Sequence, residues 1–388
     1  MEAATGKRIR EIDLLKCFGI ILVVYCHISL PAYSYFSLFH IAIFIMASGM
    51  LFNPKKFETK EGIKQFWKNK FLHLYLPYFI VNIIFLLLNN LFIQIKLYPT
   101  SIIPGIVDYE WFLQAPYSGK EIFLNILKTF FTIFFTQMGE PSWFIAVLIW
   151  IEGIYFLFSL LFSRFKFMRE RPWIEVVIEF FLFFQIMFLF VITKDIAFPR
   201  EVNWAFIFGY CFALGRVFRL IYDRFKPKWW IKLIIAVVSG LGLYVLNSMG
   251  QVGIWSCIIT DPIFFTLSSV LGWCLAFYGC SLLCYLPEVV TKPFSYIGSK
   301  TIWIMCLHFI CFKLVTLIYI KKDGLPMEYW GAFPTLPLNG HIHLGLIYLF
   351  AGLALPIALA ALYDLLVYLI KKAIKRFRKP NNETVEQQ

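Results

Sequence analysis

Lys16 and His27 are the two residues of this sequence best placed to do chemistry together. They lie eleven positions apart in the stretch IDLLKCFGIILVVYCHISL, residues 12–30. At about 100° per residue that offset is three helical turns plus roughly 20°, so a helix carries both side chains on nearly one face, about 16 Å apart along its axis. That distance is about half the thickness of a bilayer. A neutral imidazole accepts a proton near physiological pH, which suits a general base acting on a hydroxyl group. A lysine can neutralise an anionic substrate. Each residue also has a blander use: His27 as an interhelical hydrogen-bonding group, and Lys16 as a side chain that snorkels to headgroups or pairs with Asp13. In either use, ionisable groups in so apolar a stretch belong in the interior of a bundle.

Other polar residues fall in or beside apolar stretches. His40 opens the second one and lies near His27 if the connection between them is tight. Glu140 and Ser142 stand just before Trp143, where they could bind a sugar hydroxyl or cap a helix. Trp143 adds a stacking surface, although Trp111, Trp143 and Trp204 also suit an interfacial aromatic belt. His308, Lys313, Glu152 and Glu179 are expected to face inward, the acids pairing with Lys16, Lys313 or a histidine. The sequence has no HExxH, GxxxxGK[ST] or GxSxG motif, and its nine cysteines include no CxxC pair. His341 and His343 stand without nearby carboxylates or thiols, so no metal site is expected.

The elements that must position these residues follow from composition. The 388 residues are 60% hydrophobic and 20% aromatic but only 15% charged, with a mean hydropathy of +0.73. These values predict an all-α, polytopic transmembrane helical bundle. Ten spans are expected, near 12–30, 37–53, 71–93, 143–163, 173–193, 203–221, 230–247, 262–286, 301–320 and 343–370. A shorter apolar segment near 122–137 is expected to be re-entrant or interfacial on the outer side. Charge decides its status. With that segment not crossing, twenty-seven of the 36 Lys and Arg fall on one side and seven on the other, with Lys16 and Lys313 inside spans. The richer side is the cytoplasmic one, so both termini are expected there, in a cell membrane. The net charge of +13 comes from these loops and implies contact with anionic headgroups, not nucleic acid. A single domain is expected over residues 1–375, followed by a basic, then polar and disordered, tail over 376–388.

Four segments carry a resemblance. The Lys16-x10-His27 spacing looks like the R/K-x10-H motif in the first helix of the acyltransferase-3 family of integral membrane acyltransferases, which includes sugar O-acetylases. FHIAIFIMASGMLF from Phe39, PSWFIAVL from Pro141 and FSYIGSKTIWIMCLHF from Phe294 are similar to further family segments in the same order. Where family members often carry RxxR before the third span, this chain has Lys70-Phe-Leu-His73. Lys70 keeps the charge without the bidentate fork of arginine. Arg216-Val-Phe-Arg219 spells RxxR elsewhere and reads as a topology signal.

The resemblance implies transfer of an acyl group, most often acetyl from acetyl-CoA, to a hydroxyl of a carbohydrate or lipid-linked glycan. It implies no permanently bound cofactor, acetyl-CoA or another acyl-CoA being a co-substrate. Lys70, His73 and His308 are then expected on the donor side, His40, Glu140, Ser142 and Trp143 on the acceptor side, and His27 with Lys16 at the catalytic centre. The alternative from another class is a transporter or glycan exporter using the same polar stripe as its path; the absence of two related halves favours the enzyme.

Overall fold

The computed structural model describes residues 9–131, 134–193, 200–250, 259 and 261–377. Of the tail expected over 376–388, the first two residues continue the last helix and the rest lies outside the described residues. Helices account for nearly all of the ordered backbone, and among the described residues the only β pairing is an isolated bridge between Ile103 and Val107. Nine helical stretches, again among the described residues, are long and apolar enough to cross a bilayer. The protein is a multi-pass membrane protein.

Helix α1, Arg10–His27, is absent from those nine for a chemical reason: Arg10, Glu11, Asp13 and Lys16 all lie in its first two turns. It is nonetheless the helix about which the others gather. Its 18 residues are about 27 Å long, and it packs against α3 (Ala42–Leu51), α13 (Pro262–Leu283), α14 (Glu288–Ser299), α15 (Thr301–Asp323) and α16 (Ile342–Phe377). Its apolar side chains are buried almost to the last turn. With α1, ten helical stretches of spanning length are found among the described residues. The two faces of the bundle are named here for its ends, the Lys16 face and the His27 face.

Several boundaries differ from those read in the sequence. The second span is broken into α2 (Tyr33–Ser37) and α3 by a turn over residues 38–41. The third begins earlier, because Thr59 caps α4 (Lys60–Lys70) by accepting from the Gly62 amide. A π-helical turn at Phe71–Tyr75 joins α4 to α5 (Leu76–Leu87) in one continuous 28-residue helix. Two glycines set the closest helix crossing: a Cβ on Gly49 of α3 would lie 2.1 Å from the Phe212 carbonyl oxygen. On the facing α11 (Arg200–Arg224), a Cβ on Gly215 would lie 2.0 Å from the Met46 carbonyl oxygen. Small residues here let two backbones touch, as is common between helices in lipid.

The segment expected near 122–137 contains α7 (Gly119–Phe131), started by a reciprocal cap in which Glu121 accepts from the Ser118 amide at 2.7 Å and Ser118 Oγ accepts from the Glu121 amide at 3.3 Å. At 13 residues it is about 20 Å long, too short to cross. It runs beside α5 as deep as Tyr75, whose hydroxyl donates to the Phe130 carbonyl at 2.6 Å. The chain then returns through a 3₁₀ turn, Gln137–Ser142, into α8 (Trp143–Phe162). On the His27 face, Lys96 and Glu328 join two loops at 2.5 Å. That pairing holds the Glu328 carboxyl below its ordinary range.

Candidate active site

His27 is the last residue of α1, and the chain turns away at once through Ser29 (φ 56°) and Ala32 (φ 65°), two non-glycine residues in the left-handed region. The ring is therefore displayed at a helix end instead of along a wall. His308, completely buried in α15, faces it: His308 Nε2 lies 3.2 Å from His27 Nδ1. The resemblance gave His308 to the donor side, apart from His27. The structure puts the two rings in contact.

The hydrogen bonds assign the protons of this pair. His308 Nδ1 lies 2.7 Å from the Ile304 carbonyl oxygen, which only accepts, so that nitrogen carries hydrogen. In the neutral ring the lone pair of His308 is then on Nε2. His27 Nδ1, facing it, must donate. The lone pair of neutral His27 is left on Nε2, the nitrogen turned away from His308. The Phe309 ring meets His27 edge-on at 4.9 Å, Phe333 meets Phe309 at 5.0 Å, and Phe112 meets Phe333 at 5.2 Å. A row of aromatic rings, Phe309 of α15 followed by Phe333 and Phe112 from two loops of the His27 face, thus forms a roof beside the imidazole pair.

Lys313, one turn and a half beyond His308, has no carboxylate partner of the kind expected. Its buried ammonium donates to the carbonyls of Trp330 (3.1 Å) and Ala332, and Trp330 Nε1 donates back to the Lys313 carbonyl at 2.8 Å. It fastens the loop that carries Phe333. His40 is buried with Nδ1 3.2 Å from the Phe36 carbonyl oxygen.

Lys16 opens into a second feature, a pocket of about 460 Å³ on the Lys16 face. Lys56 and Lys70 line it too, with the neutral polar side chains of Ser48, Gln65 and Asn69. Glu152 lines it as well and pairs with Lys70. His73 is exposed on the outer side of its helix and does not line this pocket. His27 does not line it either; about 16 Å of α1 separates the two sites.

The remaining candidates are engaged in packing. Ser142 is fully buried, accepting from Asn82 Nδ2 at 2.9 Å and donating to the Gly139 carbonyl at 2.5 Å. Trp143 is buried, its ring 4.4 Å from that of Trp204 and 5.9 Å from that of Phe208. Glu140 is half-buried in the same 3₁₀ turn. One cluster was misread from sequence: Arg216 is not a loop charge but a buried partner of Glu179 and of Glu175, 3.0 Å away on α10 (Pro172–Thr193). The four-residue spacing of the two acids on one helix face was the signal available. Among the described residues no group of three or more His, Cys, Asp or Glu is disposed to hold a metal ion.

A family model described as an acyltransferase domain matches residues 9–362. No curated protein and no solved structure matches the chain.

Proposed function

The chain belongs to the acyltransferase-3 family, and from that premise we propose that it moves an acyl group, most often acetyl, from acyl-CoA on the cytoplasmic side to a hydroxyl of a carbohydrate or lipid-linked glycan on the outer side of a cell membrane. The Lys16 face is the cytoplasmic one, since Lys and Arg concentrate there and both ends of the described chain lie on it. The lysine pocket holds the phosphates of the donor, and the pantetheine arm reaches along α1 toward His27. Lys16, about 16 Å from His27 along the helix, is too far to stabilise charge on a carbonyl at His27; its role is to hold the donor.

His27 Nε2 takes the proton of the acceptor hydroxyl as its oxygen attacks the thioester carbonyl. The C–S bond breaks, the ester forms, and the proton returns from His27 to the departing CoA thiolate. His308 positions His27, and the aromatic roof keeps water from hydrolysing the thioester. The observation that carries this reading is the His27–His308 contact, which leaves one imidazole nitrogen as a base at the end of the helix bearing the donor lysine. The test supplies radiolabelled acetyl-CoA to membranes holding the wild-type protein or His27→Ala at equal expression. Label entering glycan with the wild type and falling at least about 100-fold with the variant supports the reading. Full transfer by His27→Ala overturns the role of His27, and no protein-dependent label in glycan overturns the acetyl donor.

A further inference from the structure

A groove of about 440 Å³ opens on the side of the bundle between α5, α7 and α8. Trp67, Tyr75, Phe130, Trp150 and Phe156 are among its walls, and it follows α8 from Ala146 to Leu157, about 16 Å. Within the depth of a bilayer so apolar a groove holds no stable water, and hydrocarbon is the solvent that fills it. Its floor is open at Gly153, where an added Cβ would meet only the edge of Trp67, at 3.9 Å.

The end of the groove toward the Lys16 face is charged. Lys60, Lys64 and Trp67 stand at i, i+4 and i+7 on α4, so two lysines continue the stripe that enters the groove through Trp67. Lys68 lies beside it, and all three lysines are exposed. The ammonium of Lys70 is not part of this set, being paired with Glu152. A cavity for one hydrocarbon chain with exposed cations at its interfacial end matches one class of molecule.

We propose that this groove is a fixed binding site for one anionic phospholipid, with a tail against Gly153 and the headgroup on Lys60, Lys64 and Lys68. Juxtamembrane lysines attract anionic headgroups, each adding to the affinity, while the apolar wall alone does not distinguish one phospholipid from another. The inference stands apart from the proposed chemistry: it uses neither His27 nor the lysine pocket.

Native mass spectrometry of the purified protein, titrated with phosphatidylglycerol or phosphatidylcholine, tests it. The wild type is expected to retain one phosphatidylglycerol with about tenfold or greater preference over phosphatidylcholine. Lys60→Gln/Lys64→Gln/Lys68→Gln is expected to lose that preference while still accepting either lipid. Gly153→Leu, which fills the groove and favours helix over glycine, is expected to lose the retained lipid with no fall in melting temperature. Equal retention of both lipids by the wild type overturns the proposal, as does retention of phosphatidylglycerol by Gly153→Leu. Release of phosphatidylglycerol by millimolar inorganic phosphate overturns it too, since a headgroup site alone is then at work. So does exclusive retention of an added polyprenyl phosphate.

Discussion

At the scale of single residues, the account turns on which nitrogen of His27 is basic. His308 Nε2 faces His27 Nδ1 while its own Nδ1 is held by the Ile304 carbonyl, and the Val23 carbonyl one turn back also accepts from the His27 ring. His308→Phe should therefore lower kcat by about 10- to 100-fold with little change in the KM for the acceptor. His308→Gln, whose amide oxygen can still accept from His27, should recover a good part of the loss. A purely structural role for His308 predicts no such rescue. Lys16→Gln should act on the other substrate, raising the KM for acyl-CoA about tenfold and leaving kcat within a fewfold, because a group about 16 Å from the base binds without touching the reacting atoms. Steady-state kinetics with each substrate varied in turn separates the two outcomes. The pairing of Lys16 with His27 on one face was legible in the sequence because helical geometry converts spacing directly into direction. Their neighbours were not. The resemblance put His308 on the donor side, and the acids were expected to pair with Lys16, Lys313 or a histidine; which helices touch is not legible in one chain, and in the structure Lys313 is held by two loop carbonyls and Glu152 by Lys70.

At the scale of elements, the spans themselves were readable because hydrophobic length is set by the bilayer and not by tertiary detail. What failed were the edges and the polar interior. The third helix begins at a capping threonine well before its apolar run, and the second is broken by a turn that no glycine or proline marks. Arg216 was read as a loop cation since helix neighbours are invisible in one chain; two acids a turn apart on α10 hold it inside. The α3–α11 crossing makes its own prediction. Gly215→Leu must push apart backbones that already touch, and overpacking of this kind costs about 1–3 kcal/mol or more. The purified variant should melt several degrees lower than the wild type or fail to accumulate, whereas Gly279→Leu, where an added Cβ meets nothing within 4 Å, should melt normally. Equal melting of the two variants would mean that the crossing is looser than described.

At the scale of the whole molecule, the arrangement separates two tasks along one helix. Cations gather in a pocket at one end of α1, and the His27–His308 pair, with Phe309 edge-on against it, stands at the other. The sequence indicated this division through its lopsided Lys and Arg, and it marked the short segment near 122–137 as one that does not cross, but not the contact of α7 with Tyr75 or the loop fastened by Lys313, because both depend on contacts across the bundle. If α1 spans the barrier between donor and acceptor, the two substrates must arrive from opposite sides. The most direct measurement uses sealed vesicles of defined orientation, with membrane-impermeant labelled acetyl-CoA on one side and the glycan acceptor on the other. Ester should accumulate when the donor is on the Lys16 face and the acceptor on the His27 face, and not in the reversed arrangement. Equal transfer in both arrangements, or transfer only with both substrates on one side, would contradict the account.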